Sequence, residues 1–196
     1  MMMTMTMTMT MTMTMMMTMM TMTIIQVVLL YVLAEEFKEE ALKMHNEFRK
    51  RHNAVALQWS EELAKKANDI AEQLTSATRN SFKRELEKHG QSIAILPHLT
   101  KHIAKTAVHK WYSEITKFSF TDPEVKPETR DFTQIIWSGS KRLGMGFAHS
   151  ANKKKTLVVA LYTPAGNSPE EMRKNLNMVN YDLYADIRKA AIGRHG

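Results

Sequence analysis

The first 23 residues contain only methionine and threonine, which confines any packed core to the chain that follows. A tract of two residue types is low complexity and has no means of packing uniquely. Residues 24–34, IIQVVLLYVLA, then form an uncharged apolar run. The run has the length of a signal-peptide apolar region, with Val32 and Ala34 suited to the −3 and −1 positions of a cleavage site, although no basic segment precedes it. Residues 16–34 also read as an uncleaved membrane anchor, because Met and Thr are tolerated in a span. Both readings predict export or membrane attachment. The chain therefore divides into a leading segment 1–34, a globular part 35–168 and a C-terminal extension 169–196.

All the charge lies in residues 35–196. Lys and Arg number 27 against 20 Asp and Glu, a net charge of +7 and a pI near 9.5. Such a balance favours anionic partners. No nucleic-acid-binding motif accompanies it, so no nucleic-acid partner is expected. Hydrophobic residues at 44% and charged residues at 24% are ordinary for one globular domain. The chain has no cysteine, which excludes disulfides, thiol catalysis and Cys-ligated zinc.

Periodicity places the elements. Phe37, Ala41, Met44 and Phe48 line one face of an amphipathic helix, with His45 and His52 beside that stripe, where packed core roles are expected. Ser60 caps a second helix whose buried stripe is Leu63, Ala67, Ile70 and Leu74. Residues 75–90 read as a loop and 91–96 as a strand. Pro97 suits the first turn of a third helix running to about Lys117, with Ile103, Ala107, Trp111 and Ile115 on its apolar face. Asp131 opens a short helix over 131–138, as its N-cap, with Gln134 at capping-box spacing. Residues 143–150 and 156–164 read as a hairpin joined by ANKKK, and PAGN at 164–167 as a turn. From Glu170 onward the chain is expected as a surface helix or a partly ordered extension. The predicted class is α+β, helices layered on a small, mainly antiparallel sheet.

Two features of the third predicted helix bear on function. Glu114 falls within its apolar face, where a carboxylate is costly unless paired. It is either satisfied by backbone or Arg, or lines an internal cavity as a polar site group. His98, His102, Lys105 and His109 share the helix edge. His98 and His102 have zinc-compatible spacing, but no acid or Cys completes a site and Lys105 repels a cation. A solvated basic face able to touch phosphate head groups is the expectation, with no metal bound.

HNEFRKRH at 45–52, LQW at 57–59, WYSEI at 111–115, RDFTQIIW at 130–137 and LVVALYTPAGN at 157–167 occur in the order of the CAP superfamily. The chain resembles that family, which includes cysteine-rich secretory, antigen 5 and pathogenesis-related 1 proteins, over about residues 37–168. The missing cysteines and the PAGN ending look most like its Golgi-associated pathogenesis-related 1 branch. The resemblance implies a three-layer α-β-α sandwich. It also implies a cavity lined by two histidines and two acids, which binds divalent metal in some members. Here Glu114 keeps one acid, Asp131 stands for a histidine, Gln91 stands for the other acid, and the second histidine falls near Asn80. Two acids without imidazole suit Zn²⁺ badly and Ca²⁺ or Mg²⁺ incompletely. No metal and no cofactor are therefore expected in this degenerate cavity.

The function expected is a non-enzymatic binding module that holds lipid or sterol or docks on an anionic membrane. The alternatives are a protein-interaction module with a vestigial cavity and, less favoured, a hydrolase. Ser113 and Ser138 are available as nucleophiles, but the cavity lacks the histidines a base would require. The branch is prone to self-association, which adds a homodimer to the expected partners. Its N-myristoylation signal is missing, since residue 2 is Met. The expected location is extracellular or membrane-associated through residues 16–34, with the cytosolic face of the Golgi as the alternative.

Overall fold

A computed structural model describes residues 2–75 and 89–180, with side chains from residue 13 onward. It divides into two compact units, 1–37 and 38–196. Helix α1 (Met2–Arg51) runs through both. Within the first unit, residues 13–34 are exposed throughout. The helix is long and apolar enough to cross a membrane, a test that a signal sequence near the N-terminus also passes. The hydroxyls of Thr18, Thr21 and Thr23 donate to the carbonyls of Met15, Thr18 and Met19, at 2.8, 2.8 and 2.9 Å.

The second unit holds a four-stranded sheet and its helices. After β1 (Gln58–Trp59) come α2 (Glu61–Thr75), β2 (Gly90–Pro97), α3 (Ile103–Tyr112) and a 3₁₀ turn, Ser113–Lys117. Then follow α4 (Arg130–Ile136), β3 (Arg142–His149), β4 (Lys155–Thr163), a second 3₁₀ turn, Pro169–Glu171, and α5 (Met172–Asn175). The strand order is β1-β3-β4-β2. The β2–β4 and β3–β4 pairs are antiparallel, and the two-residue β1 adds a parallel edge to β3. This is the mainly antiparallel sheet expected.

β4 lies inside the sheet between β3 and β2, and burial on both faces explains its unbroken apolar run. Val159 and Leu161 join Leu63, Ala67, Ile70 and Ala71 of α2 in one core. Alternation turns Val158, Ala160 and Tyr162 to the other face, where the Tyr162 hydroxyl meets His45 of α1 at 2.8 Å. Helices thus cover both faces, giving the α-β-α layering. Gly144 of β3 sets how closely α2 lies on the sheet. A Cβ there would come 2.1 Å from the Ala64 backbone nitrogen.

Two expected elements are corrected. The third helix does not begin at Pro97. β2 continues through Pro97, and α3 starts at Ile103 after a turn in which His102 has φ 51°. β2 is an edge strand, where a terminal proline is tolerated. The fourth helix begins at Arg130, with Thr129 in the N-cap position, so Asp131 is not its cap. The segment from Pro169 to Asn180 packs on the domain. Met172 and Leu176 are buried, and the Asn180 N–H donates to the Arg51 carbonyl at 2.7 Å.

Buried Arg49 closes the unit. Its guanidinium donates to the carbonyls of Val55, Ile135, Trp137 and Ser140, at 2.8, 2.8, 2.8 and 3.0 Å. Among the described residues no carboxylate pairs with it. Burial lowers its pKa to about 10, which leaves it charged at neutral pH.

Candidate functional site

The N-terminus of α4 meets the 3₁₀ turn that follows α3, and this junction brings Glu114 to Asp131. Four N–H groups at a helix start lack intrahelical partners. Glu114 Oε2 accepts two of them, the Asp131 and Phe132 N–H groups, each at 3.1 Å. α3 ends at Tyr112 rather than near Lys117, so Glu114 lies in the 3₁₀ turn and not on a helix's apolar face. Its carboxylate is satisfied by backbone, and it supplies from a distance the cap that Asp131 does not. Gln134 is buried and turned the other way. It accepts the Gly166 N–H at 3.0 Å and donates to Ser140 Oγ at 3.1 Å. Gln134 approaches Gly90 closely, where a Cβ would lie 2.1 Å from its Oε1, and a Cβ at Gly166 would lie 2.7 Å from the Trp137 ring.

Asp131 is left with its side chain largely buried beside a second acid. Burial first, and then the Glu114 charge, push its carboxyl up to about 7. Burial likewise raises Glu114, against the pull of its two backbone hydrogen bonds. The two carboxyls therefore share a site in which full double ionisation is opposed. The Glu114→Gln variant removes the neighbouring charge and keeps the shape. Its expected result is an Asp131 pKa about 1 unit lower, read by NMR titration of the carboxyl carbon. An unchanged value would show that burial alone sets it.

Behind Asp131 lies a buried polar row. Ser92 of β2 is 1% exposed, and its Oγ faces both Asp131 and Tyr162 without completing a hydrogen bond to either. The Tyr162 phenol is raised far above its ordinary range by burial. His45 is pushed down to about 4, chiefly by burial, so its ring is neutral. With Nδ1 donating to the Ala41 carbonyl at 2.7 Å, Nε2 is left to accept from Tyr162. Gln91 Oε1 is also buried, without a hydrogen-bond partner among the described residues.

Of the four residues expected in the cavity, Glu114 and Asp131 are brought together, and Gln91 precedes Ser92 on the strand beside them. Asn80 lies outside the described residues. Ser92, Tyr162 and His45 were missed as neighbours of the site. Only the position of His45 beside an apolar stripe hinted at its buried role.

The histidine edge does not form one helical stripe. His98 follows the end of β2 and sets its Nδ1 3.2 Å from Nδ1 of His149. His102 pairs with Glu40 at 2.9 Å, and Glu40 also accepts the Lys105 backbone N–H at 3.1 Å. His109 stands edge-on to Phe48, with ring centroids 5.2 Å apart.

The sequence matches the family described as "CAP: Cysteine-rich secretory protein family" over residues 42–162. The chain belongs to the CAP family. It is 32% identical over 140 residues to "Golgi-associated plant pathogenesis-related protein 1" of Homo sapiens, covering 70% of this chain and 89% of that one. It is 29% identical over 138 residues to "Repressed by EFG1 protein 1" of Candida albicans, covering 67% of this chain but only 47% of that relative's length. The solved structure "Crystal structure of NaASP2 with Zn2+" superposes with a TM-score of 0.56 at 21% identity, covering 68% of this chain and 82% of that one. That likeness speaks to the CAP fold alone. The residues described here do not fit a metal of the kind some CAP members hold. Glu114 Oε2 is committed to two N–H groups, and among the described residues no group of three or more His, Cys, Asp or Glu is placed to hold an ion.

Proposed function

We propose that this CAP protein is a non-enzymatic binding module that works at an anionic membrane surface, with a family cavity reduced to an acid pair. The observation that carries the reading is the apolar stretch 13–34 of α1, exposed throughout, which leads into a domain bearing the whole net charge of +7. A helix apolar on all sides needs either a protein interior or lipid around it. Its threonine hydroxyls are bonded back to the helix, as a segment in lipid requires. The segment acts as the export signal or the anchor, and the basic domain then meets acidic head groups.

The geometry gives a hydrolase little support. Ser113 Oγ donates to the Lys110 carbonyl at 2.7 Å, and Ser138 Oγ is buried without a partner. Among the described residues neither meets the imidazole a serine nucleophile needs. The Asp131 carboxyl, raised to about 7, lies in the range of a general base, but among the described residues no hydrogen bond joins it to either serine.

The test is binding of residues 35–196, which hold the whole sheet and its core, to vesicles with and without phosphatidylserine across a salt series. Binding about a hundredfold tighter to acidic vesicles, lost at high salt, is the expected result. No binding under any lipid condition would sink the membrane reading and leave a protein-interaction module.

A further inference from the structure

Two loops meet at one end of the sheet. Residues 98–102 follow β2, and residues 150–154 join β3 to β4. The register pairs Pro97 with Lys155, and the His98 N–H donates to the Lys154 carbonyl at 3.2 Å. The His98 and His149 rings stack edge to face across the join, with centroids 4.5 Å apart. Each loop is closed internally. Thr100 N–H and Oγ1 both reach the Pro97 carbonyl, at 3.2 and 2.7 Å. Ser150 and Lys155 exchange backbone and side-chain bonds at 2.9–3.1 Å. The pair is thus one built lobe.

Leu99 stands out of this lobe at 88% exposure, the most exposed of the large hydrophobic side chains described. Lys101 on the same loop, and Lys153, Lys154 and Lys155 on the loop and strand start that meet it, are all exposed. Neither PHLTKH (97–102) nor HSANKKK (149–155) contains an acid. Glu40, which bonds at the lobe's base, is taken up by His102 and the Lys105 N–H. An apolar tip on a lobe that carries four exposed lysines and no acid matches the two layers of an acidic bilayer surface: phosphates outside, acyl chains beneath. A bare leucine has no comparable use against a polyanion in water, where the lysines alone would serve.

We propose that this lobe is the domain's membrane contact, with Leu99 entering the acyl boundary and the four lysines on the phosphates of acidic lipids. It rests on the membrane reading above and names the surface that reading leaves open. The occupant is an acidic phospholipid surface.

The absence of cysteine allows a direct test on the full chain. An environment-sensitive fluorophore is attached through Leu99→Cys, and separately through Lys65→Cys on α2 or Val125→Cys. Each protein is placed in phosphatidylcholine vesicles with and without phosphatidylserine. The expected result is a blue shift and loss of iodide quenching at position 99 only, only with phosphatidylserine, and reversed by salt. Adding Lys153→Glu, Lys154→Glu and Lys155→Glu to the labelled chain should abolish the shift, since each surface lysine contributes about a fivefold change in affinity. A phosphatidylserine-dependent shift at position 65 or 125, with position 99 still in water, would overturn the lobe and keep the membrane reading. No lipid response at any of the three positions would overturn both.

Discussion

Asp131→Asn is expected to make the domain about 2–4 kcal/mol more stable near pH 8 and to leave it almost unchanged near pH 4. The folded carboxyl titrates at about 7, against 3.8 for an ordinary aspartate. Between those values the folded state holds a proton that the unfolded chain has released. Stability contributed by this group is therefore present at low pH and is lost as pH rises through 7. His45 has the opposite sign. Its ring titrates at about 4 when folded and 6.5 when not, so its cost appears as pH falls below 6.5. His52 shifts in the same direction as His45, and Glu114 in the same direction as Asp131. The wild-type profile should therefore be nearly flat from pH 4.5 to 6.5, as an approximate cancellation of two slopes. The Asp131→Asn variant should uncover the rising histidine slope. Urea midpoints measured across this range decide the matter. A variant no more stable than wild type at pH 8 would show that Asp131 ionises as a solvated acid.

Arg49→Met should cost about 3–5 kcal/mol. The methionine fills the space, but the carbonyls of Ile135, Trp137 and Ser140 lose their donor inside the protein. A buried acceptor left unbonded costs about 1–3 kcal/mol. Arg49→Lys keeps the charge but lacks the planar fork, so it should recover less than half of the loss. The check is a lower urea midpoint with an unchanged slope, which marks a stability change without a change of folded compactness. A loss of under about 1 kcal/mol for Arg49→Met would mean that water replaces the guanidinium at these carbonyls.

The fold was largely readable because its signals are local. The α2 stripe Leu63, Ala67 and Ile70 is buried as its spacing predicts, and the apolar run of β4 marks a strand covered on both faces. The failures lie where a distant partner replaces a local rule. Asp131 has the sequence setting of an N-cap, yet Glu114, 17 residues earlier, takes its place. Periodicity within a window cannot see that exchange. Pro97 reads equally as a helix start or as the end of an edge strand, and only the pairing with Lys155 separates the two. Misplacing that boundary put His98 on a helix face that does not exist. At the site, Glu114 was legible as a costly carboxylate. Ser92 and Tyr162 were not, because the row they form joins three elements far apart in the chain.

The four carbonyls gripped by Arg49 come from the loop after α1, the end of α4 and the turn before β3. They span residues 55 to 140, a stretch that a covalent cross-link would serve to close. Hydrogen bonds do this work here, in a chain without a single thiol. The staple is therefore indifferent to redox potential. Reductant strong enough to open a disulfide leaves it intact, and the same domain is equally well held on either side of a membrane.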